Sequence, residues 1–213
     1  MSDPHCGTPG GTYPSDCTLT EALRDRAMDR NRPLTRTAAW RAALPRAKEV
    51  RLLLLDVDGV LTDGGIFYGD LDIELKRFHT QDGLGIRLLQ ESGVPVGIIT
   101  ARDSAAVARR VQDLKLAHVF QGQKDKLAAF EAILRQTGLR PPQIACMGDD
   151  WMDLPILNRA GLAAAPANAV AEVRQRVHYT CERVGGSGAV REVCDLILEA
   201  QGNLNRMLSK FDR

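Results

Sequence analysis

Nowhere in the 213-residue chain do eighteen apolar residues follow one another, so no segment is suited to cross a bilayer as a helix. The apolar run of a signal peptide is missing as well, because Ser2 to Asp16 are polar and carry several glycines and prolines. Cysteine is scarce and scattered. Cys6, Cys17, Cys146, Cys181 and Cys194 form no C-x-x-C pair and no metal-ligand spacing, and they read as reduced thiols in a cytosol. An excess of one charge is also lacking: 28 Lys and Arg face 27 Asp and Glu, for a formal net charge of +1. That balance gives no reason to expect nucleic acid or an acidic membrane as a partner. Together these absences predict a cytoplasmic protein, neither exported by a signal peptide nor membrane-spanning, whose anion specificity is local.

What is present is enough for one core. At 44% hydrophobic content the chain can bury a substantial interior, with little room for a second full-size domain. Residues 1–48 read as an N-terminal extension. Of these, 1–17 are too rich in glycine and proline for a packed face and are expected to be disordered, while 18–48 are expected to carry one or two short helices. Residues 49–202 form the expected globular domain, followed by a tail over 203–213.

From Val50 onward short apolar runs alternate with helical segments, the pattern of βαβ units around a parallel sheet. Arg51–Val57, Pro95–Ile99, Ile144–Met147 and Leu162–Ala165 are unbroken apolar runs, as strands buried on both faces require. Crossover helices are expected near Leu84–Glu91, Ser104–Leu114, Lys124–Gln136, Met152–Asn158 and Val170–Arg176, with Gly188–Ala200 last. The handedness of such crossovers then predicts an α/β fold with a doubly wound, Rossmann-like parallel sheet. Gly64 to Phe78 departs from this rhythm: two alternating stretches flank Gly69-Asp70 and predict a β-hairpin directly after the first strand.

In an open α/β sheet, ligands bind beyond the carboxyl ends of the strands. The first strand runs into Asp56-Val-Asp58-Gly59-Val-Leu-Thr62, two carboxylates two residues apart. The second ends at Thr100, Gln121 to Lys126 offers Lys124 and Lys126 at a helix start, and the fourth is followed by Gly148-Asp149-Asp150-Trp-Met-Asp153. Taken singly, each is ordinarily a cap, a turn former or a solvated charge. Taken in this order and placement, they resemble the four motifs of the haloacid dehalogenase superfamily of phosphotransferases. The resemblance implies that Asp56 attacks phosphorus, Asp58 acts as acid and then base, Thr100 binds phosphoryl oxygens and Lys126 neutralises charge. It also implies Mg²⁺ held by the Asp56 carboxylate, the Asp58 backbone carbonyl and Asp149, with Asp153 ordering ligands or waters behind them.

No insertion is long enough for the usual cap domain. The run from Val50 to Gly202, with Glu74-Leu-Lys76, Gln81-Asp-Gly-Leu-Gly-Ile-Arg87, Gly122-Gln-Lys-Asp-Lys126 and Gly185-Gly-Ser-Gly188, resembles the 3-deoxy-D-manno-octulosonate 8-phosphate phosphatases. That resemblance implies a homotetramer, a phosphorylated sugar acid as substrate and a product destined for lipopolysaccharide. It further implies a substrate site built from Asp58, the loop His79, Thr80, Gln81, Asp82 and Gly83, and Arg87, Arg102, Arg110 and Lys126. Without it, Arg87 and Arg110 read as solvated charges on amphipathic helices. His79 reads as a packing or hydrogen-bonding residue, and the resemblance, which implies that the glycine run precedes a swapped C-terminal helix, makes that run a hinge with a lid. His79-Thr-Gln stands where the family more usually has an Asn-Val-Arg-like triplet, one basic group fewer. Two alternatives follow: a phosphatase for a nine-carbon, sialic-acid-type 9-phosphate, or a non-catalytic assembly domain on the same fold. The intact acids argue against the latter.

Overall fold

The computed structural model describes residues 35–70 and 73–212. The chain divides at Arg36/Thr37, and the account below concerns the unit from Thr37 onward. The expected disorder of residues 1–17 lies outside the described residues.

The unit is a six-stranded parallel sheet ordered β5-β4-β1-β6-β7-β8, made of β1 (Leu52–Leu55), β4 (Val96–Ile99), β5 (His118–Phe120), β6 (Ile144–Met147), β7 (Leu162–Ala165) and β8 (Tyr179–Thr180). β1 is central: Leu53 pairs with Val96 on one side and with Ala145 on the other. Strand side chains alternate between faces, so an apolar run without polar interruption must supply two cores at once. It does: Leu53 and Leu55 pack in one layer, Leu52 and Leu54 in the other.

The first layer is covered by α1 (Ala38–Lys48), α2 (Thr80–Glu91), α3 (Ala105–Leu114) and α7 (Ala189–Ala200), which bury Ala43, Ile86, Val107 and Val193 among others. The second is covered by α4 (Lys126–Thr137), α5 (Leu154–Leu157) and α6 (Ala171–Arg174), through Phe130, Ile156 and Val173. Helices on both faces of a parallel sheet are the doubly wound arrangement expected from the alternation of runs. The expected hairpin is present but short, with β2 (Phe67–Tyr68) antiparallel to β3 (Glu74–Leu75) and the Gly69 N–H on the Ile73 carbonyl at 2.8 Å.

Two segments do more than their composition suggested. Helix α1, from the expected extension, lies against α7 and places Trp40, Ala43 and Ala47 in the same core as the strands. The Trp40 Nε1–H donates to Glu199 at 3.1 Å, and its ring meets Tyr179 edge-on with centroids 6.0 Å apart. Helix α8 (Leu204–Leu208), in the expected tail, buries Met207 there too. Trp40→Phe, which keeps an aromatic ring but loses the bond to Glu199 and part of the buried area, is expected to lower unfolding free energy by about 1–2 kcal/mol. Urea denaturation checks this, and an unchanged midpoint would mean that α1 does not support the domain.

Candidate active site

The loop after β1 is shaped by four small residues. Gly59 takes φ +90°, a conformation that costs glycine little, and a Cβ there would lie 2.0 Å from Asp149 Oδ2. The Asp149 carboxylate therefore occupies the space that a side chain at Gly59 would need. Thr62, fully buried, accepts from the Gly59 and Gly64 N–H groups at 3.4 and 3.2 Å and contacts the Val57 carbonyl at 3.3 Å, stapling the loop. Gly185 packs so closely that a Cβ would overlap the Gly59 carbonyl, and the Gly186 N–H donates to Val60 at 2.9 Å. The glycine run is thus a close-packed brace for this loop rather than the expected hinge.

Asp56 is buried at the end of β1, and Lys126, buried at the start of α4, donates to it and to Asp153, each at 2.6 Å. Lys124 is exposed, so of the two lysines only Lys126 reaches the carboxylates. Asp153 spends its other oxygen on the Asp149 and Asp150 N–H groups at 3.0 and 3.2 Å, which shapes the Gly148–Asp153 turn. Carboxylate oxygens of Asp56, Asp149 and Asp153 lie within 4.8 Å of one another. Thr100 is buried at the end of β4, its N–H on the Phe120 carbonyl at 2.9 Å.

Crowding three acids in a partly desolvated place has an electrostatic consequence. Burial, and then Asp153, push the Asp56 carboxyl up to about 6 against the pull of Lys126; burial, Asp56, Asp153 and Asp150 push Asp149 up to about 7. Burial alone would lower the Lys126 ammonium, but Asp56 and Asp153 outweigh it and raise it. One ammonium for three carboxylates leaves negative charge uncompensated, and the donors are all oxygen. That set suits a hard divalent cation such as Mg²⁺, which keeps several waters and takes few protein ligands. Asp56 and Asp149 are the side chains with oxygens to give, whereas Asp153 has both of its own engaged.

A pH dependence follows. Between the ordinary carboxylate range and about pH 7, the folded metal-free protein holds more protons on Asp56 and Asp149 than the unfolded chain does. Their contribution to stability is therefore greatest at low pH and declines as pH rises. A bound cation takes the place of those protons. The rise in melting temperature on adding Mg²⁺ is expected to be several degrees larger at about pH 8 than at about pH 5, and equal increments in calorimetry would contradict this charge balance.

The residues expected to bind substrate are placed less uniformly. Asp58 is half-buried, and its carboxylate is paired with the Lys76 ammonium, with Arg102 Nε 4.0 Å away. Arg102 reaches back to the hairpin, donating to Glu74 at 3.0 Å and to the Tyr68 hydroxyl at 3.1 Å. Asp82 requires correction: it is buried within α2, and its two oxygens accept from the Gly188 and Arg191 N–H groups at 3.2 and 2.7 Å. It caps α7, and its acceptor capacity is taken up by the fold. Gly83 is buried beside it, and a Cβ there would meet Arg110. Arg110 donates to the His79 carbonyl at 3.3 Å and lies over the Phe78 ring; Arg87 points to the Asp113 carbonyl at 3.4 Å. These two partner the turn before α2 and the end of α3, not the carboxylate cluster. His79 precedes α2 with its Nδ1 buried and unpartnered, while Thr80 and Gln81 are exposed. Lys76, given no role from the sequence, is the residue that the reading missed; its signal was the Glu74-Leu-Lys76 alternation that runs out of β3.

Comparison with known proteins agrees with this geometry. The sequence model of the haloacid dehalogenase-like hydrolases matches residues 115–192. The 3-deoxy-D-manno-octulosonate 8-phosphate phosphatase KdsC of Escherichia coli K12 is 44% identical over 162 residues, 76% of this chain and 86% of that protein. The Yersinia pestis protein of the same name is 45% identical over 161 residues, with the same shares. The crystal structure of the Moraxella catarrhalis 3-deoxy-D-manno-octulosonate 8-phosphate phosphatase, in complex with magnesium, phosphate and KDO, superposes with a TM-score of 0.77 at 41% identity. It covers 79% of this chain and 97% of that one.

Proposed function

Because the chain belongs to the 3-deoxy-D-manno-octulosonate 8-phosphate phosphatase family of haloacid dehalogenase-like hydrolases, we propose that it hydrolyses the 8-phosphate of that eight-carbon sugar acid through a phosphorylated Asp56. The observation that carries this reading is the buried Lys126 ammonium bridging Asp56 and Asp153 at 2.6 Å, with Asp149 beside them. A carboxylate held by a cation at a strand end is oriented for attack and cannot drift into solvent.

Asp56 attacks phosphorus and the bond to the sugar oxygen breaks. The leaving oxygen takes a proton from Asp58. Asp58, now a carboxylate, accepts a proton from water as that water attacks phosphorus, which frees phosphate and restores Asp56. Thr100, at the adjacent strand end, is placed to hydrogen-bond a phosphoryl oxygen, and Lys126 balances the charge on the three equatorial oxygens. Asp56, Asp149 and the Asp58 carbonyl would hold Mg²⁺, which would supply further compensation for phosphoryl charge. Arg102 is the arginine nearest the Asp58 carboxylate, and it is our candidate for the carboxylate of the sugar acid.

The protein acts in the cytoplasm as a homotetramer in this reading. No described helix is long and apolar enough to cross a membrane. Phe67, Tyr68, Ile73 and Leu75 are exposed on a two-stranded hairpin, a surface that a second copy would cover. Phosphate release with Mg²⁺ from the eight-carbon 8-phosphate, a sialic-acid-type 9-phosphate and an aryl phosphate tests the assignment. A higher kcat/KM for the eight-carbon ester is expected; preference for the nine-carbon ester would overturn the substrate.

A further inference from the structure

Two consecutive basic residues of the hairpin reach the loop that follows β1: Arg77 pairs with Asp63 at 2.7 Å, and Lys76 with Asp58. Lys76, the residue after β3, places its ammonium on Oδ1 of Asp58, while Oδ2 is left 4.0 Å from Arg102 Nε. The hairpin strand is itself anchored through Glu74, which receives Arg102 Nη2 at 3.0 Å, and Tyr68, whose hydroxyl receives it at 3.1 Å. Asp56 directly follows β1 and is buried, whereas Asp58 lies two residues further into the loop with its side chain 21% exposed, so packing confines its carboxylate less. We propose that Lys76 is a positioning residue: carried by the hairpin, it fixes one oxygen of Asp58 so that the other faces the leaving group, and it thereby sets the efficiency of proton transfer.

The inference rests on the phosphatase reading and on the role of Asp58 in it. Its physical content is orientational. A carboxylate free to rotate spends most of its time away from the leaving oxygen, and misplacement by about 1 Å can cost on the order of a hundredfold. The pairing with an ammonium restricts that rotation, and proton transfer needs only the free oxygen. Lys76, its side chain buried, brings a cation from the hairpin to Asp58, as Lys126 brings one from α4 to Asp56.

A simple structural anchor would also be harmed by mutation, so the test must separate the two. Proton donation matters most when the leaving group is a poor one. The hydrolysis of the sugar acid 8-phosphate, an alkyl ester, and of p-nitrophenyl phosphate, whose leaving group needs no proton, is compared for the wild type, Lys76→Met, Lys76→Gln and Lys76→Arg. Two neutral variants are taken so that the comparison does not hang on the folding of one, and circular dichroism melts accompany each. Lys76→Met and Lys76→Gln are expected to slow the single-turnover release of the sugar acid about tenfold to a hundredfold and that of p-nitrophenol less than about threefold, the release step being the one that precedes water attack. Lys76→Arg, which keeps the charge, is expected to recover most of the loss on the alkyl ester. Equal losses on both esters, or no loss on either, would overturn the positioning role. A wild type that releases phosphate from neither ester would instead overturn the phosphatase reading itself.

Discussion

Asp56→Asn protein is expected to melt at or above the temperature of the parent and to release phosphate at least about ten-thousandfold more slowly. The two halves of this expectation have one cause. Asp56 is a carboxylate held where burial and Asp153 push it up to about 6, so at neutral pH its charge is a cost to the fold. An amide of the same shape removes that cost and leaves Lys126 paired with Asp153 at 2.6 Å. It also removes the nucleophile, and an amide nitrogen or oxygen does not replace a carboxylate in attack on phosphorus. Mg²⁺ should bind this variant more weakly, because one of the two available side-chain ligands has lost its charge. Phosphate-release kinetics and a thermal melt on one preparation check both halves; activity within tenfold of the parent would remove Asp56 from the nucleophile's role.

Lys126→Met is expected to lose in both respects. The lysine stem fills a buried position at the start of α4, so methionine is chosen to keep the volume. Its ammonium, however, is the described counter-charge between Asp56 and Asp153. Taking away one side of a buried pair leaves the other uncompensated, at a cost of about 3–5 kcal/mol. Some of that is recovered by protonation, since without Lys126 the two acids should bind protons more readily. The variant is therefore expected to regain stability on acidification. Chemical denaturation at two pH values measures it, and a stability equal to the parent at neutral pH would show that Lys126 is not what holds the acids together.

How far the sequence could be read depended on whether a feature was local. The strands Ile144–Met147 and Leu162–Ala165 are found where their apolar runs lie, because a strand buried on both faces leaves no polar alternative. Asp56, Lys126, Asp149 and Asp153 come together because each follows a strand or starts a helix at the same edge of the sheet, and Thr100 ends the strand beside β1. Strand β8 was missed because two residues, Tyr179–Thr180, are too few to carry a periodicity. Asp82 and Lys76 show the limit more clearly. Both are charged residues near a glycine-rich or acidic motif, yet one is consumed capping a helix 106 residues away in sequence and the other reaches across to Asp58. Which of the two fates a charge meets is decided by tertiary contacts that no spacing encodes. The buried face of α1 was hidden for the same reason: an arginine- and alanine-rich stretch shows its partner only when α7 is beside it.

The most direct test of the account is the stereochemical course of the reaction at phosphorus, followed with an 8-phosphate ester made chiral by oxygen isotopes and sulfur and hydrolysed in isotopic water. Attack by Asp56 and then by water inverts phosphorus twice, so the account predicts inorganic thiophosphate with net retention. Net inversion would mean that water attacks the ester directly, and would contradict a phosphorylated Asp56.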